Sequence, residues 1–256
     1  MNNKFQTVIS FLLGICFILI WEMLTHFTHI SSLVLPSPSS IFSTLLNGLG
    51  NGFYFPHILQ TFSEVFWGLV LGIIMGLGGG LILGEFTGIR KVFLPFVLLS
   101  QIVPKLALAP LFIVWLGFGS LPCIVMTSLI CFFPMLETTI TAIDNVDAQQ
   151  VRLFKVLGAN RYQILLHLKV ISGMPYIFSG LRVSVVLALV GAVVSEFIGA
   201  SKGLGALIIV GQSSMDTPMI FASIGLITAL GLCLYSLVSL LESFYLKNHP
   251  HRRQIQ

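Results

Sequence analysis

DAQQVRLFKVLGANRYQILLHLKVISGMPYIFSGLR, the stretch from Asp147 to Arg182, organises the rest of this chain. It is the longest segment too polar to lie in a lipid bilayer, and strongly apolar segments flank it on both sides. Four basic residues lie within it: Arg152, Lys155, Arg161 and Lys169. The pattern indicates a set of membrane helices interrupted by one large polar loop.

The polar loop has a helix–glycine–helix pattern. Residues 148–157 predict a short amphipathic helix that carries Val151, Phe154 and, at its end, Leu157 on one face. Gly158 then favours a helix stop or turn, because glycine accepts backbone conformations that other residues avoid. A second helical run, Tyr162–Val170, follows. An apolar face outside a membrane bundle needs something to pack against, and we expect another protein.

The composition places the chain among integral membrane proteins. Apolar residues make up 56% of it and charged residues only 9%, against about 25% charged residues in soluble domains. The net charge of +4 does not indicate nucleic-acid binding, because the basic residues are scattered among loops without an aromatic platform. The four cysteines lie in apolar segments without metal-like spacing, which favours a role as small buried hydrophobes.

Six segments are apolar enough over about 20 residues to cross a bilayer. The first is too long for a signal-peptide core, so we keep it as a membrane helix. The six predicted spans are Thr7–His26, Phe62–Leu83, Val92–Leu116, Leu121–Ile143, Pro175–Ile198 and Pro218–Leu246.

The distribution of lysine and arginine predicts the orientation, since these residues concentrate on the cytoplasmic side. With both termini in the cytoplasm, only Lys202 lies clearly outside, and the polar loop lies inside. The inside residues are then Lys4, Arg90, Lys91, Arg152, Lys155, Arg161, Lys169, Lys247, Arg252 and Arg253.

The second span carries glycine at every fourth position. Such a stripe lets helices approach closely in lipid. We expect tight packing inside one subunit, with a dimer seam as the alternative. The glycines are Gly68, Gly72, Gly76, Gly80 and Gly84.

The third span contains Pro104, Lys105 and Pro110. Two prolines break the helical hydrogen-bond ladder, and irregular backbone at membrane depth survives only against protein or a water-filled cavity. An ammonium group about halfway along a span is costly and indicates function by default. The alternative is a structural lysine that snorkels to an interface or pairs with a carboxylate. We expect this segment to line a translocation pathway.

Glu196 is a further pathway candidate. It precedes a glycine-rich outer segment that ends in Gly203-Leu204-Gly205, which predicts either a gate-forming turn or an ordinary interfacial loop. Glu64 and Glu196 both lie near predicted span ends, where we expect water to reach them. His57 shares no spacing with other histidines and receives no role.

No motif for covalent catalysis, nucleotide binding or metal binding occurs in the sequence. We therefore expect no catalytic residues and no metal site in this chain. Any uphill transport must draw its energy from a bound partner or from an ion gradient.

The polar loop resembles the cytoplasmic loop of permease subunits in type I ATP-binding-cassette importers. Gly158-Ala159, Pro175 and Gly180-Leu181-Arg182 match that loop's signature, and Asp147 matches an acidic residue common ahead of it. The sequence is most similar to the sulfonate, nitrate and taurine branch, which also includes importers of thiamine pyrimidine precursors. The residues that support this branch are Leu35-Pro36-Ser37-Pro38, Pro104–Trp115 and 196–205.

The loop departs from the family pattern in two places. Arg152 stands where the signature begins with Glu, and Leu153-Phe154 replace small alanines. Val170-Ile171 replace a Leu-Pro step. We interpret the changes as charge tuning toward a particular ATPase.

The resemblance implies an all-α type I importer permease fold, with residues 1–256 as one transmembrane domain and a coupling loop at 144–174. It implies a coupling helix that lies in a groove of a cytoplasmic ATPase. Val151, Phe154 and Leu157 would supply apolar contact, while Arg152 and Lys155 would set orientation. Asp147, Gly158 and Ala159 complete the implied coupling residues.

The implied assembly is a homodimer of permeases in the bacterial cytoplasmic membrane, with two ATPases inside and a substrate-binding protein outside. ATP and magnesium would bind the ATPases, and this chain would bind no cofactor and no nucleic acid. The alternative function is a secondary transporter or channel without an ATPase, which the absence of mid-span charge relays disfavours.

The sequence leaves the substrate open. Lys105 and Arg182 suit an anionic head group, although we expect Arg182 at the cytoplasmic edge, facing lipid phosphates or the ATPase. The aromatic residues Phe112, Trp115 and Phe118 equally suit a planar pyrimidine ring.

Overall fold

The computed structural model describes residues 3–28 and 31–247, and every regular element in those two ranges is helical. A 3-10 turn, Lys105–Leu108, precedes α5, and a π-helical segment, Leu165–Val170, joins α8 to α9. The helices are α1 (Asn3–Phe27), α2 (Pro38–Gly50), α3 (Phe55–Glu85), α4 (Thr87–Ile102), α5 (Ala109–Leu116), α6 (Ser120–Asp144), α7 (Ala148–Val156), α8 (Arg161–Ile164), α9 (Ile171–Gly199), α10 (Leu204–Ser213) and α11 (Thr217–Tyr245).

Four described helices are long and apolar enough to cross a membrane: α3, α6, the continuous rod Arg161–Gly199, and α11. A fifth crossing results if α4 and the following segment count together, although they are bent by 79°. Helix α1 has 25 residues, of which the stretch Leu12–Phe27 is apolar. Six spans and two cytoplasmic termini therefore stay predictions, and Arg252 and Arg253 lie outside the described residues.

Helices α3, α6 and α9 form the centre of the bundle. Val65, Cys131, Ala188 and Ala192 are fully buried where the three helices meet. Cys131 also exchanges hydrogen bonds with Ser184 across α6 and α9, at 3.2 Å and 3.3 Å. Cys123 and Cys131 are small buried core residues, as the sequence indicated, whereas Cys16 and Cys233 are exposed on the surface of the subunit, so the prediction was wrong for these two.

The glycine stripe of α3 packs against α6 inside the subunit, which confirms the first of the two expectations. All five glycines are buried. A Cβ atom on Gly72 would lie 2.7 Å from the Cβ of Cys131, and one on Gly76 would lie 2.6 Å from the Cβ of Met135. Real carbon atoms do not approach so closely, so only glycine permits this helix separation.

The two ends of the bundle have different side-chain chemistry. At one end, which we call the Glu85 end, Arg90 of α4 pairs with Asp144 of α6 at 2.6 Å. At the other end, which we call the Glu196 end, α1 and α2 are joined by side-chain contacts. Glu22 of α1 accepts hydrogen bonds from the amide and the hydroxyl of Ser39 in α2, at 3.0 Å and 2.7 Å.

Arg182 lies inside the subunit's own contacts. Its Nη1 atom is 3.2 Å from Oε2 of Glu242, so the pair joins α9 to α11. Arg182 therefore has a carboxylate partner within its own subunit, and the expectation that it faces lipid phosphates or an ATPase stays a prediction.

The third predicted span is broken between α4 and α5. Val103 is extended (φ −65°, ψ 125°) because it precedes Pro104, which disfavours helical geometry in the residue before it. Pro110 lies in the first turn of α5, where a missing N–H costs little. The break therefore follows directly from the placement of the two prolines.

Candidate functional site

Helix α7 is a short, well-capped element at the Glu85 end. Asp147 is its N-cap, and its side chain accepts a hydrogen bond from the Gln149 amide at 2.8 Å. At the other end, Gly158 has φ +81°. The Gly158 amide bonds the Lys155 carbonyl and the Ala159 amide bonds the Phe154 carbonyl, both at 3.0 Å. This is a Schellman motif, and it confirms the predicted stop at Gly158.

The two faces of α7 are arranged differently from the sequence expectation. Val151 and Phe154 lie on the face of α7 that is half-buried within the subunit, and Ala159 is half-buried as well. Phe154 and Ala159 occupy the two positions whose apolar contact commonly accompanies a Schellman motif. Part of the surface of Val151 and Phe154 is therefore already covered within the subunit.

The freely exposed apolar face of α7 consists of Leu153, Val156 and Leu157, which are 57%, 85% and 74% exposed. These positions are spaced i, i+3 and i+4, so they share one helix face. Only Leu157 of this set was predicted to supply apolar contact to the ATPase. Arg152 and Lys155 are exposed as expected.

The chain returns from α7 through a tight turn into a second capped helix. Asn160 and Gln163 form a reciprocal capping box with two bonds of 2.8 Å. The predicted run Tyr162–Val170 is observed, with its second part in π-helical form. Caps on both sides of the turn fix the direction of α7 relative to the rod that continues into α9.

Lys105 lies at the break between α4 and α5, next to α6 and α9. Its ammonium group donates to Oε1 of Gln101 at 2.8 Å and lies 5.7 Å from the centroid of the Phe133 ring. None of the ion pairs in residues 3–28 and 31–247 includes Lys105. Its positive charge therefore meets a neutral amide and an aromatic ring within the subunit.

Glu196 is enclosed at the C-terminal end of α9, where it is 1% exposed. Its carboxylate accepts hydrogen bonds from the Thr61 hydroxyl and the Gly205 amide, both at 2.6 Å. Thr61 in turn accepts from the Leu204 amide at 2.8 Å. Glu196 thus anchors the start of α10, and its role in a pathway stays a prediction.

Glu64 joins this cluster, and the expectation that water reaches Glu64 and Glu196 was wrong. Glu64 is 0% exposed and lies next to Glu196; its Oε1 accepts from Gln60 Nε2 at 2.7 Å, while its Oε2 has no hydrogen-bond partner among the described residues. Side chains of α3 and the glycine-rich segment cover both carboxyl groups.

The sequence held two signals for the cluster. Thr61 and Glu64 lie seven and four positions before Gly68, so they continue the buried face of α3. Gly205 is required because a Cβ there would lie 2.7 Å from the Glu196 carboxylate. His57 also has a role that the sequence analysis missed, since its Nδ1 atom lies 3.1 Å from the Gly203 amide nitrogen.

Comparison with known proteins identifies the family. Residues 68–253 match the family model described as the binding-protein-dependent transport system inner membrane component. The chain is 30% identical to the formylaminopyrimidine transport permease protein ThiX of Halalkalibacterium halodurans, over 96% of this chain and 98% of the relative. It is 32% identical to the putative aliphatic sulfonates transport permease protein SsuC of Bacillus subtilis, over 96% and 89%.

A third relative is the riboflavin transport system permease protein RibX of Chloroflexus aurantiacus, 32% identical over 87% of this chain and 83% of the relative. Among solved structures, an inward-facing form of the MetNI methionine ABC transporter has the same fold, with a TM-score of 0.66 and 15% identity. That match covers 74% of this chain and 94% of the other.

In this family ATP hydrolysis belongs to a partner ATPase, and the membrane chain is not an enzyme. The family also implies a substrate-binding protein and a dimeric permease. Membership argues against the alternative of a transporter that needs no ATPase. The chain belongs to the binding-protein-dependent inner membrane component family and is a permease subunit of an ATP-binding-cassette importer.

Proposed function

We propose that this chain forms a homodimeric importer of a small organic anion, driven by two ATPases that dock on α7. The Glu85 end is then cytoplasmic, in agreement with the basic residues that cluster there. A binding protein delivers the solute at the Glu196 end, and lipid surrounds the remaining apolar surface. ATP and magnesium are held by the ATPases rather than by this chain.

The exposed apolar face of α7 supports ATPase docking through Leu153, Val156 and Leu157. Two large apolar side chains on a nine-residue helix and a third at its C-cap, all outside the apolar spans, are costly to leave in water. Burying a valine side chain in a protein groove contributes about 1.5 kcal/mol or more. The neighbouring cations Arg152 and Lys155 then give the interface its charge pattern and set the partner's orientation.

The same substitution, valine to serine, on the exposed face and on the half-buried face of α7 tests this docking surface. Val156→Ser removes an exposed apolar contact, and we expect it to weaken ATPase binding by about tenfold with unchanged thermal stability. Val151→Ser is the matched control, because Val151 is half-buried and its loss lowers the stability of the permease itself. Binding is measured by titration of purified ATPase onto the permease in nanodiscs.

Equal ATPase affinity for Val156→Ser and the native chain would contradict docking through this face. A selective loss of affinity in Val151→Ser, without loss of stability, would instead favour the face first expected from the sequence.

The Lys105 environment is the observation that carries the proposed substrate class. Its ammonium group lies at a break in a span, beside a neutral amide and an aromatic ring. An anionic solute that passes this point gains charge attraction without displacing a carboxylate already bound to the lysine. Two relatives are named for such solutes, the aliphatic sulfonates permease and the taurine permease of Escherichia coli.

A planar pyrimidine is the second candidate. Trp115 and Phe118 are strongly exposed near the outer end of α5, and the rings of Phe112 and Trp115 contact each other edge to face at 5.9 Å. Aromatic faces of this kind suit a flat ring. ThiX, which is named for formylaminopyrimidine transport, supports this candidate.

Uptake by the complete complex in proteoliposomes distinguishes the two solutes. We expect ATP-dependent accumulation of radiolabelled taurine, a reduction of about tenfold or more in Lys105→Met, and partial recovery in Lys105→Arg, which keeps the charge. The matched control is Lys202→Met, which removes an exposed cation from the outer loop. Accumulation of formylaminopyrimidine alone, with no effect of Lys105→Met, would refute the anion proposal.

A further inference from the structure

Contacts from the segment after α7 converge on the junction of α3 and α4. Arg161 Nε donates to Oε1 of Glu85 at 2.7 Å, and Lys169 Nζ donates to Oε2 of the same carboxylate at 2.7 Å. Arg161 Nη2 also donates to the Glu85 carbonyl oxygen at 2.6 Å, and its guanidinium lies 4.3 Å from the centroid of the Phe86 ring. We call these four residues the Glu85 clamp.

The clamp is stronger than an ordinary surface ion pair. The Glu85 side chain is only 9% exposed and that of Lys169 18%, so water screens this pair weakly. Two cations share one carboxylate, and removal of that carboxylate would leave Lys169 without a counter-ion in a poorly solvated place, whereas the Arg161 side chain is 54% exposed. The Arg90–Asp144 pair at the same end is 29% and 44% exposed, which is the range where ion pairs contribute little.

The clamp connects parts of the chain with different tasks. Its Arg161 side follows α7 after a turn that is fixed by a Schellman motif on one side and a capping box on the other. Glu85 is the last residue of α3, which packs tightly on α6 along the glycine stripe. It also lies just before the start of α4. Helix α4 leads directly to the break that carries Lys105.

The clamp supplies a second mechanical connection from α7 into the bundle. The covalent connection runs from α7 through α8 into α9. The clamp adds a path from Arg161 and Lys169 across to Glu85 and the start of α4. Rigid capped elements and charged contacts are the means by which movement at one site biases another.

We propose that Glu85 is a positioning residue that transmits movement of α7 to α4 and so to the broken span at Lys105. This proposal rests on the docking of the ATPase at α7. Closure of the ATPases displaces α7 and Arg161 together, and the clamp makes α4 follow. Without Glu85, α7 still binds the ATPase, but its movement reaches only α9, and ATP hydrolysis becomes poorly coupled to transport.

The first test is the ratio of solute accumulated to ATP hydrolysed in proteoliposomes. The solute is taurine or formylaminopyrimidine, whichever the native complex accumulates. We expect Glu85→Gln to lower this ratio at least about fivefold, the scale of a typical coupling between sites, while ATPase affinity stays unchanged. Asp144→Asn, which breaks the exposed pair with Arg90, is the matched control and keeps the native ratio.

An unchanged ratio in Glu85→Gln would overturn the proposal. Loss of ATPase affinity in that variant would also overturn it, because Glu85 would then serve docking itself. Failure of the docking surface is detected separately, by Val156→Ser. If Glu85→Gln does not accumulate in membranes, Lys169→Met replaces it, since this variant keeps the Glu85–Arg161 contact and should give a smaller fall in the ratio. An unchanged ratio there would overturn the proposal as well.

A distance measurement tests the mechanical claim without any transported solute. Spin labels at exposed positions 149 in α7 and 89 in α4 report whether the two helices move together. We expect one distance in the nucleotide-free and ATP-bound native complex, and a broadened or shifted distance in Glu85→Gln with ATP. A native distance that changes on ATP binding would refute rigid transmission through the clamp.

Discussion

The packing of α3 on α6 gives the sharpest stability prediction, through Gly76→Ala. The added Cβ would lie 2.6 Å from the Cβ of Met135 and 2.5 Å from the Phe132 carbonyl oxygen. Carbon atoms in contact normally lie about 3.5–4.0 Å apart, so the helices would have to separate by roughly 1 Å. One of the two obstacles is backbone, which cannot rotate away as a side chain can.

The magnitude follows from that overlap. Overpacking of this kind costs about 1–3 kcal/mol. Gly78 is the matched control in the same helix, because nothing lies within 4 Å of a Cβ added there. Gly78→Ala gains up to about 1 kcal/mol of helix propensity. Gly76→Ala gains the same helix propensity, so the two variants should differ by the overpacking cost alone, roughly 1–3 kcal/mol, with Gly76→Ala the less stable.

The assay is thermal unfolding of the detergent-solubilised permease, together with its oligomeric state by size-exclusion chromatography. We expect a lower midpoint for Gly76→Ala and an unchanged or higher one for Gly78→Ala. Equal midpoints would refute the contact between α3 and α6 along the glycine stripe. Dissociation of a dimer in Gly76→Ala at an unchanged midpoint would restore the dimer seam as the explanation of the stripe.

Two further predictions concern the turn after α7 and the buried carboxyl groups. Gly158→Ala should cost about 1–2 kcal/mol of stability and lower uptake severalfold, because the φ of +81° at this position is unfavourable for alanine, although nothing lies within 4 Å of an added Cβ. The control is Gly88→Ala, a position that is equally open but has no positive φ, and it should transport normally. Lower uptake by Gly88→Ala than by Gly158→Ala would contradict this reasoning. Glu64→Gln should keep the native free energy of unfolding because its amide oxygen can still accept from Gln60. Glu64→Leu should lower that free energy by about 1–3 kcal/mol, and equal stability of the two variants would refute the role of this hydrogen bond.

Local features of the fold were predictable from consecutive residues. The glycine repeat of α3, the helix stop at Gly158 and the break at Pro104 each depend on the backbone preferences of one residue and its near neighbours. The apolar segments likewise fix where helices occur, because a span in lipid must satisfy its own backbone hydrogen bonds. These features also carry the resemblance that identified the family.

The docking face of α7 shows where such reasoning ends. Val151 and Phe154 form one apolar face of this helix, and Leu153, Val156 and Leu157 form another. A helix of nine residues does not reveal which face is covered, because that depends on how the following turn folds back. Only the tertiary structure showed that the second face is free.

The sequence by itself determined the class, the helices, the polar loop and the position of the broken span. The tertiary structure decided which polar and charged groups meet: Glu196 with Thr61, 135 positions apart, and Glu85 with Arg161, 76 positions apart. The physical reason is that backbone preferences act between neighbours in the chain. Burial and charge pairing arise instead from contacts that exist only after distant helices have packed together.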